Sequence, residues 1–182
     1  PNIINDSNSI AETVDISGIT HLVLRDVDYR VNVFGSDRAQ LEIRSIEGNL
    51  LRNLNHHLSG DTLNLSDFQE TGRRMVKINV FVPKGSLKGI TIDAAEASVK
   101  NLEQARLNIS QESGRIWMSQ NNIERIQLNI SGRSILDISG TTLDTLSAKI
   151  DHSEVRIYSA VGRLEGSMRN NSFMRMGPVE EI

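Results

Sequence analysis

The residues best suited to ligand chemistry surround Trp117, the only tryptophan of the 182-residue chain. Because Trp117 stands between the apolar residues Ile116 and Met118, we expect its indole to point outward from a strand. The apolar face of a sugar packs on an aromatic ring while its hydroxyls bond polar neighbours. Matching positions of neighbouring repeats complete a candidate glycan-binding row: Lys100, Trp117, Asp137, Arg156 and Arg175. In the alternative interpretation, Trp117 packs under a loop or under the N-terminal strands.

Other reactive side chains form no catalytic or metal-binding pattern in the sequence. His56 and His57 are adjacent, so on a helix their side chains would diverge and could not share a metal. Asp93, Asp137 and Asp151 fall in different rows or corners, whereas glycoside hydrolysis requires two carboxylates that face one bond. Signatures of pectin hydrolases, nucleophile elbows, phosphate loops and zinc sites are missing. We therefore expect no catalytic residue, no metal and no cofactor.

The composition of the chain limits which partners and which cellular location are expected. The formal charge is −3 with acids and bases interspersed, which disfavours nucleic acid and anionic membranes as partners. Cysteine is absent, so neither disulfides nor thiolate sites exist. No run approaches the roughly 20 apolar residues of a membrane-spanning helix. The chain starts at Pro1 without methionine, which suggests a removed leader and predicts an exported protein, periplasmic or on the cell surface.

A weak repeat in the second half of the chain would position the Trp117 row. An apolar triplet at alternate positions returns five times, each time after an apolar anchor and before a serine. The triplets are Ile90/Ile92/Ala94, Ala105/Leu107/Ile109, Ile126/Leu128/Ile130, Leu146/Ala148/Ile150 and Leu164/Gly166/Met168. The anchors are Leu87, Leu102, Ile123, Leu143 and Val161, and the serines are Ser98, Ser113, Ser134, Ser153 and Ser172. A spacing of about 20 residues is typical of stacked units that cannot bury their apolar face alone.

The repeat predicts a parallel stack, in which equivalent residues lie about 4.8 Å apart. Asn108 would then lie above Asn129 and form an amide ladder. The serines would line one corner, where a hydroxyl can bond the local backbone, and a second short strand would follow each corner. An antiparallel sandwich also has short alternating strands. The fixed order of anchor, triplet and serine favours the stack.

The sequence pattern of the first half of the chain predicts strands, with one exception. Residues 49–58 predict a short helix, because Leu50, Leu51, Leu54 and Leu58 fall on one helical face. Pro83 ends the last strand before the repeat. We therefore predict a single all-β domain over residues 1–182. A strand-rich N-terminal cap with one short helix (1–83) leads into a parallel β-helix, or solenoid, of about five coils (84–182).

The strand Val76–Pro83 and the segment 87–92 after it resemble the bacterial head GIN domain family of auto-transporter adhesins, in which a strand ending in proline leads into "L-x-x-I". Residues 31–37 and 60–65 are similar to early strands of that family. Of the family's repeated Ser-Gly-small-Gly turns, this sequence keeps only Ser131-Gly132 and Ser139-Gly140. The resemblance implies a right-handed β-helix-like fold and an exported or envelope-associated protein of the Bacteroidetes type. It carries over no catalytic residue.

These observations predict a non-enzymatic cell-envelope or surface module for binding or adhesion, with a glycan or an envelope or host surface protein as its partner. A polysaccharide lyase or hydrolase on the same fold is the first alternative. The second is a structural or oligomerising module, because the last coil, near Met168 and Met176, needs a cap against edge pairing.

Overall fold

The computed structural model describes residues 10–45, 55–68 and 76–177, which contain β-strands and no helix. The strands join into one 15-stranded sheet that bends repeatedly. They are β1 Ile10–Asp15, β2 His21–Ser36, β3 Gln40–Ser45, β4 Asn55–Ser59, β5 Thr62–Phe68, β6 Val76–Pro83, β7 Gly89–Lys100, β8 Glu103–Gln111, β9 Gly114–Ser119, β10 Asn122–Ile130, β11 Ile135–Ser139, β12 Thr142–Asp151, β13 Glu154–Tyr158, β14 Val161–Arg169 and β15 Phe173–Met176. The predicted all-β class is confirmed.

From β7 onward the chain alternates between two columns of parallel strands. In the first column β7, β8, β10, β12 and β14 are neighbours, and in the second column β7, β9, β11, β13 and β15 are neighbours. Strand β7 contributes to both, since residues 89–92 pair with β8 and residues 95–100 pair with β9. Ala94 lies between the two halves with a φ of 48°. The bend between the columns is therefore at Ala94.

The columns continue into the first half of the chain. Strand β2 pairs in parallel with β7 along both columns, with a register shift between Val27 and Val31. Strand β5 then adds to β2 in the first column and β6 adds to β2 in the second. Antiparallel pairing is confined to β1 with β3, β3 with β6 and β4 with β5 among the described strands. One hydrophobic core runs under these elements from Ile16 to Ile157.

The register confirms the predicted alignment of the last three triplets. Ile126 pairs with Leu146, and Leu146 pairs with Leu164. The middle positions Leu128, Ala148 and Gly166 align in the same way. In a parallel ladder these side chains stack on their equivalents, and all of them but those of β14 are buried.

The predicted alignment is wrong by two residues between β8 and β10 and by four residues between β7 and β8. Ile126 pairs with Leu107 rather than with Ala105, and Ala105 is exposed. The inward position opposite Ile130 belongs to Gln111, which is 2% exposed. Its amide nitrogen donates to the carbonyls of Gly114, at 2.9 Å, and Ile135, at 3.2 Å. Because Gln111 is polar, it does not fit a pattern of apolar triplets, and the predicted triplet of β8 therefore starts two residues too early.

The shift also removes the predicted ladder of Asn108 on Asn129. Asn108 pairs with Gln127, while Asn129 pairs with Ser110. The outward row that contains Asn108 continues through Ser147 to Glu165.

Cysteine cross-linking distinguishes the two registers, because the chain has no cysteine of its own. We expect Asn108→Cys with Gln127→Cys to form a disulfide under mild oxidation, since paired Cα atoms lie about 4.8 Å apart. Asn108→Cys with Asn129→Cys is the matched control; two residues out of register, its Cα atoms lie roughly 8 Å apart and should not bridge. Non-reducing electrophoresis and mass spectrometry measure both. Preferential bridging of the control pair would restore the alignment that the sequence predicts.

The predicted helix at residues 49–58 is wrong where it can be compared with the structure. Residues 55–58 belong to strand β4, while residues 49–54 lie outside the described residues. Strand β4 pairs with β5 across a turn at Gly60, which has a φ of 60°. Leu58, the one of the four leucines in the described part of the chain, is 42% exposed and does not lie on a buried face. Backbone pairing with β5 outweighs the helical spacing of the leucines.

Candidate functional site on the second column

The structure brings four of the five predicted site residues into one row. Trp117 pairs with Asp137, Asp137 with Arg156, and Arg156 with Arg175. All four lie on the outer face of the second column, as the alternation with buried residues such as Ile116 predicts. The four residues are called the Trp117 row below.

Lys100 lies in the neighbouring outward row. It pairs with Ser119, and the position beside Trp117 belongs to Ser98. The sequence places a corner at Ser98, whereas the chain bends four residues earlier, at Ala94. Ser98 is therefore inside β7. As a result, the residue beside Trp117 is Ser98, two residues before the predicted Lys100. A positive φ at an alanine has no signal in the sequence.

The charged side chains of this face form a network of ion pairs across the rungs. Asp137, whose side chain is 15% exposed, accepts two hydrogen bonds from Arg115, at 2.9 and 2.7 Å, and lies 3.6 Å from Arg156. Glu154 accepts a bond from Arg156 at 2.9 Å, and Arg175 lies 2.9 Å from its other oxygen. The result is an alternation of charge over β9, β11, β13 and β15.

Two members of this network, Glu154 and Arg156, have shifted pKa values. The hydrogen bond from Arg156 is the main reason why the pKa of the Glu154 carboxyl lies below its ordinary value. The same bond is the main reason why the pKa of Arg156 is raised. Glu154 and Arg156 therefore stay charged over the physiological range and act as a fixed acceptor and a fixed donor.

Two guanidinium groups pack on the indole of Trp117. The Arg30 carbon lies 3.9 Å from a ring centroid and the Arg115 carbon lies 4.6 Å away. Arg30 comes from β2 and also lies 3.6 Å from Glu96. These are cation–π contacts, which orient the half-buried indole. A sugar would therefore contact the edge of the ring or displace Arg30 from it.

The structure contains a second set of polar residues that the sequence analysis missed. Asn121 is 3% exposed at the corner before β10, where its oxygen accepts from the Leu102 amide at 2.9 Å and its nitrogen donates to Val99 at 3.2 Å. On the next rungs, the amide of Thr141 donates to the Ser159 hydroxyl at 3.0 Å. These bonds connect successive rungs. The sequence signal is a polar residue two positions before an anchor, as Asn121 precedes Ile123.

Three of the five predicted corner serines, Ser134, Ser153 and Ser172, lie at a corner between strands. The hydroxyl of Ser153 accepts from the Ser134 amide at 3.2 Å, and that of Ser172 donates to the Ile150 carbonyl at 3.1 Å. Ser113 bonds the amide of Ala94 at 2.9 Å from the neighbouring position, and Ser98 is not at a corner. The two sets of polar residues therefore lie at the turns that connect strands of the two columns.

Fold and site together define a repetitive all-β protein that displays rows of side chains on two outer faces. Within the described ranges, no three His, Cys, Asp or Glu side chains group in a way that could hold a metal. No helix in that part of the chain could cross a membrane.

The chain belongs to the family described as "Putative auto-transporter adhesin, head GIN domain", whose model matches residues 25–159. Two solved structures share the fold. One is described as a putative adhesin from Bacteroides fragilis, with 13% identity, a TM-score of 0.59, and coverage of 93% of this chain and 97% of that one. The other, a putative adhesin from Parabacteroides merdae, has 16% identity, a TM-score of 0.57, and coverage of 95% and 82% respectively. No curated protein shows significant sequence similarity.

Proposed function

We propose that this protein is a non-enzymatic adhesion module, exported to the periplasm or the cell surface, that binds a glycan or a surface protein through the Trp117 row. The observation that carries the proposal is the alignment of an indole, a carboxylate and two guanidinium groups on one outer face. Membership in a family described as adhesins and structural neighbours described in the same way support it.

The proposed scaffold for this face is a right-handed parallel β-solenoid of about five coils. The parallel pairing of both columns supports it, because each rung repeats the side chains of the rung before it. A solenoid of this kind offers a long flat face, on which successive sugars or side chains of a partner could meet successive rungs.

The polar side chains of the Trp117 row would form the hydrogen bonds to the ligand. The Asp137 carboxylate accepts hydrogen bonds from sugar hydroxyls, while Arg156 and Arg175 donate to ring and hydroxyl oxygens. Trp117 supplies apolar surface, and Lys100 adds a cation in the next row. Since the ion pairs already hold these groups in place, binding would cost little side-chain entropy.

Trp117→Ala tests this proposal. We expect binding of a glycan hit to weaken by about tenfold, because the variant loses the apolar surface of the ring together with an aromatic contribution of roughly 0.5 to 1.5 kcal/mol beyond its burial. Binding is measured on a glycan array and then by titration. Tyr158→Ala is the control: it removes an exposed aromatic side chain of the same column outside the Trp117 row. Unchanged glycan binding in Trp117→Ala rules out this face as the glycan site.

The exposed end of the stack favours a second candidate, a structural module that pairs with a second copy of this chain. Strand β14 has only β12 as a neighbour among the described strands. Large apolar side chains are exposed there, with exposures of 42 to 58%: Leu164, Met168, Phe173 and Met176. Arg163 and Glu165 alternate along β14, so an antiparallel copy can place each opposite its counterpart of opposite charge. A strict monomer at high concentration in sedimentation contradicts this candidate.

A further inference from the structure

The outer face of the first column carries a row of arginines that the proposed adhesion face does not include. Arg106 pairs with Arg125, Arg125 with Thr145, and Thr145 with Arg163. Neighbouring rungs are about 4.8 Å apart, so Arg106 and Arg125 are one step apart and Arg163 is two steps further along. Arg106, Arg125 and Arg163 are called the arginine row.

Two members of the arginine row have no acidic partner. Arg106 and Arg125 are exposed, and neither forms an ion pair with another described side chain. Arg163 has one contact, with Glu165 at 3.4 Å. In the second column, by contrast, Arg115 and Arg156 both face carboxylates. Like charges on directly paired strands are destabilising, and no described side chain balances these two, so a bound anion would stabilise the row.

A groove of about 420 Å³ lies over the arginine row. Its volume is within the range of sites for small molecules. Besides the three arginines, its polar lining consists of amides, hydroxyls and one carboxylate: Asn108, Gln127, Thr145, Ser147 and Glu165. Most of these groups lie in the outward row beside the arginines, where Asn108 pairs with Gln127. Cations and neutral hydrogen-bonding groups therefore run side by side along the column.

We propose that this groove binds an acidic polysaccharide, with its chain along the column and its carboxylate or sulfate groups on Arg106 and Arg125. A guanidinium group presents a planar fork that matches such anions with two parallel hydrogen bonds. The step between rungs is comparable with the length of one sugar unit, so successive acidic sugars meet successive arginines. The row of Asn108, Gln127 and Ser147 bonds the hydroxyls of the same sugars.

The lining favours a glycan over a nucleic acid. No aromatic side chain lines the groove, whereas proteins that bind single strands stack bases on aromatic rings. This site goes beyond the proposed adhesion face, because it lies on the other column and contains no residue of the Trp117 row.

The double variant Arg106→Gln with Arg125→Gln tests the site. The probes are polygalacturonate for carboxylates, dextran sulfate for sulfates, neutral dextran, and a single-stranded oligonucleotide, all at physiological ionic strength. The control is Lys88→Gln with Arg133→Gln, which removes the same charge at exposed positions outside the groove. We expect the double variant to lose about tenfold or more in affinity for an acidic polysaccharide, and the control to lose little.

The other outcomes overturn the proposal. Equal losses in both double variants mean that net charge alone attracts the polymer. If neutral dextran binds as tightly as the acidic polymers, or if neither acidic polymer binds, the ligand is not an acidic glycan. Stronger binding of the oligonucleotide assigns the row to nucleic acid instead. Trp117→Ala serves as a cross-check: it should leave binding to the arginine row unchanged, so the two sites can fail separately.

Discussion

Gly114→Ala should destabilise the fold by roughly 3 to 5 kcal/mol, the upper range for single substitutions. Gly114 begins β9 with a φ of 99° and pairs with Ala95 of the rung before it. A β-carbon at this position would lie 2.0 Å from the Ala95 carbonyl oxygen. Because the obstacle is backbone, no rotamer change relieves it, and the two rungs must separate. Urea unfolding measures the change.

Gly18→Ala is the matched control for that substitution. Gly18 has a similar φ of 83°, but a β-carbon there would meet nothing within 4 Å. Only the strain of a positive φ remains, which costs about 1 to 2 kcal/mol. Equal losses in the two variants would mean that the rungs at Gly114 are not as closely packed as described.

Asn121→Leu should cost roughly 2 to 4 kcal/mol, because it leaves two buried backbone groups without a partner. The amide of Leu102 loses its acceptor and the carbonyl of Val99 loses its donor. Each unsatisfied buried group costs about 1 to 3 kcal/mol, partly offset by the added apolar side chain. Thermal and urea unfolding measure the loss.

Asn122→Leu provides the comparison for Asn121. Asn122 is the adjacent residue and is exposed, so its replacement should change the free energy of unfolding by no more than about 0.5 kcal/mol. A loss at Asn122 as large as the loss at Asn121 would contradict the role of the corner bonds between rungs.

The alternation of apolar residues was sufficient to predict the strands of the repeat and much of their stacking, whereas β4 was predicted as part of a helix. It gives the alignment of Ile126 with Leu146 because those positions are apolar on every rung. It fails at Gln111, where hydrogen bonds to two carbonyls let a polar side chain occupy an inward position. Periodicity measures polarity alone and cannot register those two hydrogen bonds.

The candidate site could also be predicted only in part. The row from Trp117 to Arg175 could be predicted, because the last rungs have regular spacing. Lys100 could not be placed, since the bend at Ala94 depends on a positive φ that alanine rarely adopts. The stacking of Arg30 on Trp117 joins residues far apart in sequence, and no local pattern encodes it.

The two outer faces differ in how their charges are balanced. On the second column, the carboxylates of Asp137 and Glu154 are paired with arginines, so most of the charge of that face is already balanced. On the first column, Arg106 and Arg125 have no such partners among the residues that the structure describes. The Trp117 row therefore suits a ligand recognised by shape and hydrogen bonding, and the arginine row suits an anion.

Binding without turnover is the most direct test of the proposed function. The purified protein would be screened on a glycan array that includes polygalacturonate and host mucin glycans, and each hit would be incubated with the protein and analysed for new products. We predict that at least one glycan is retained and recovered unchanged. Release of a cleaved or unsaturated product would contradict a non-enzymatic module and establish a polysaccharide-degrading enzyme on this fold.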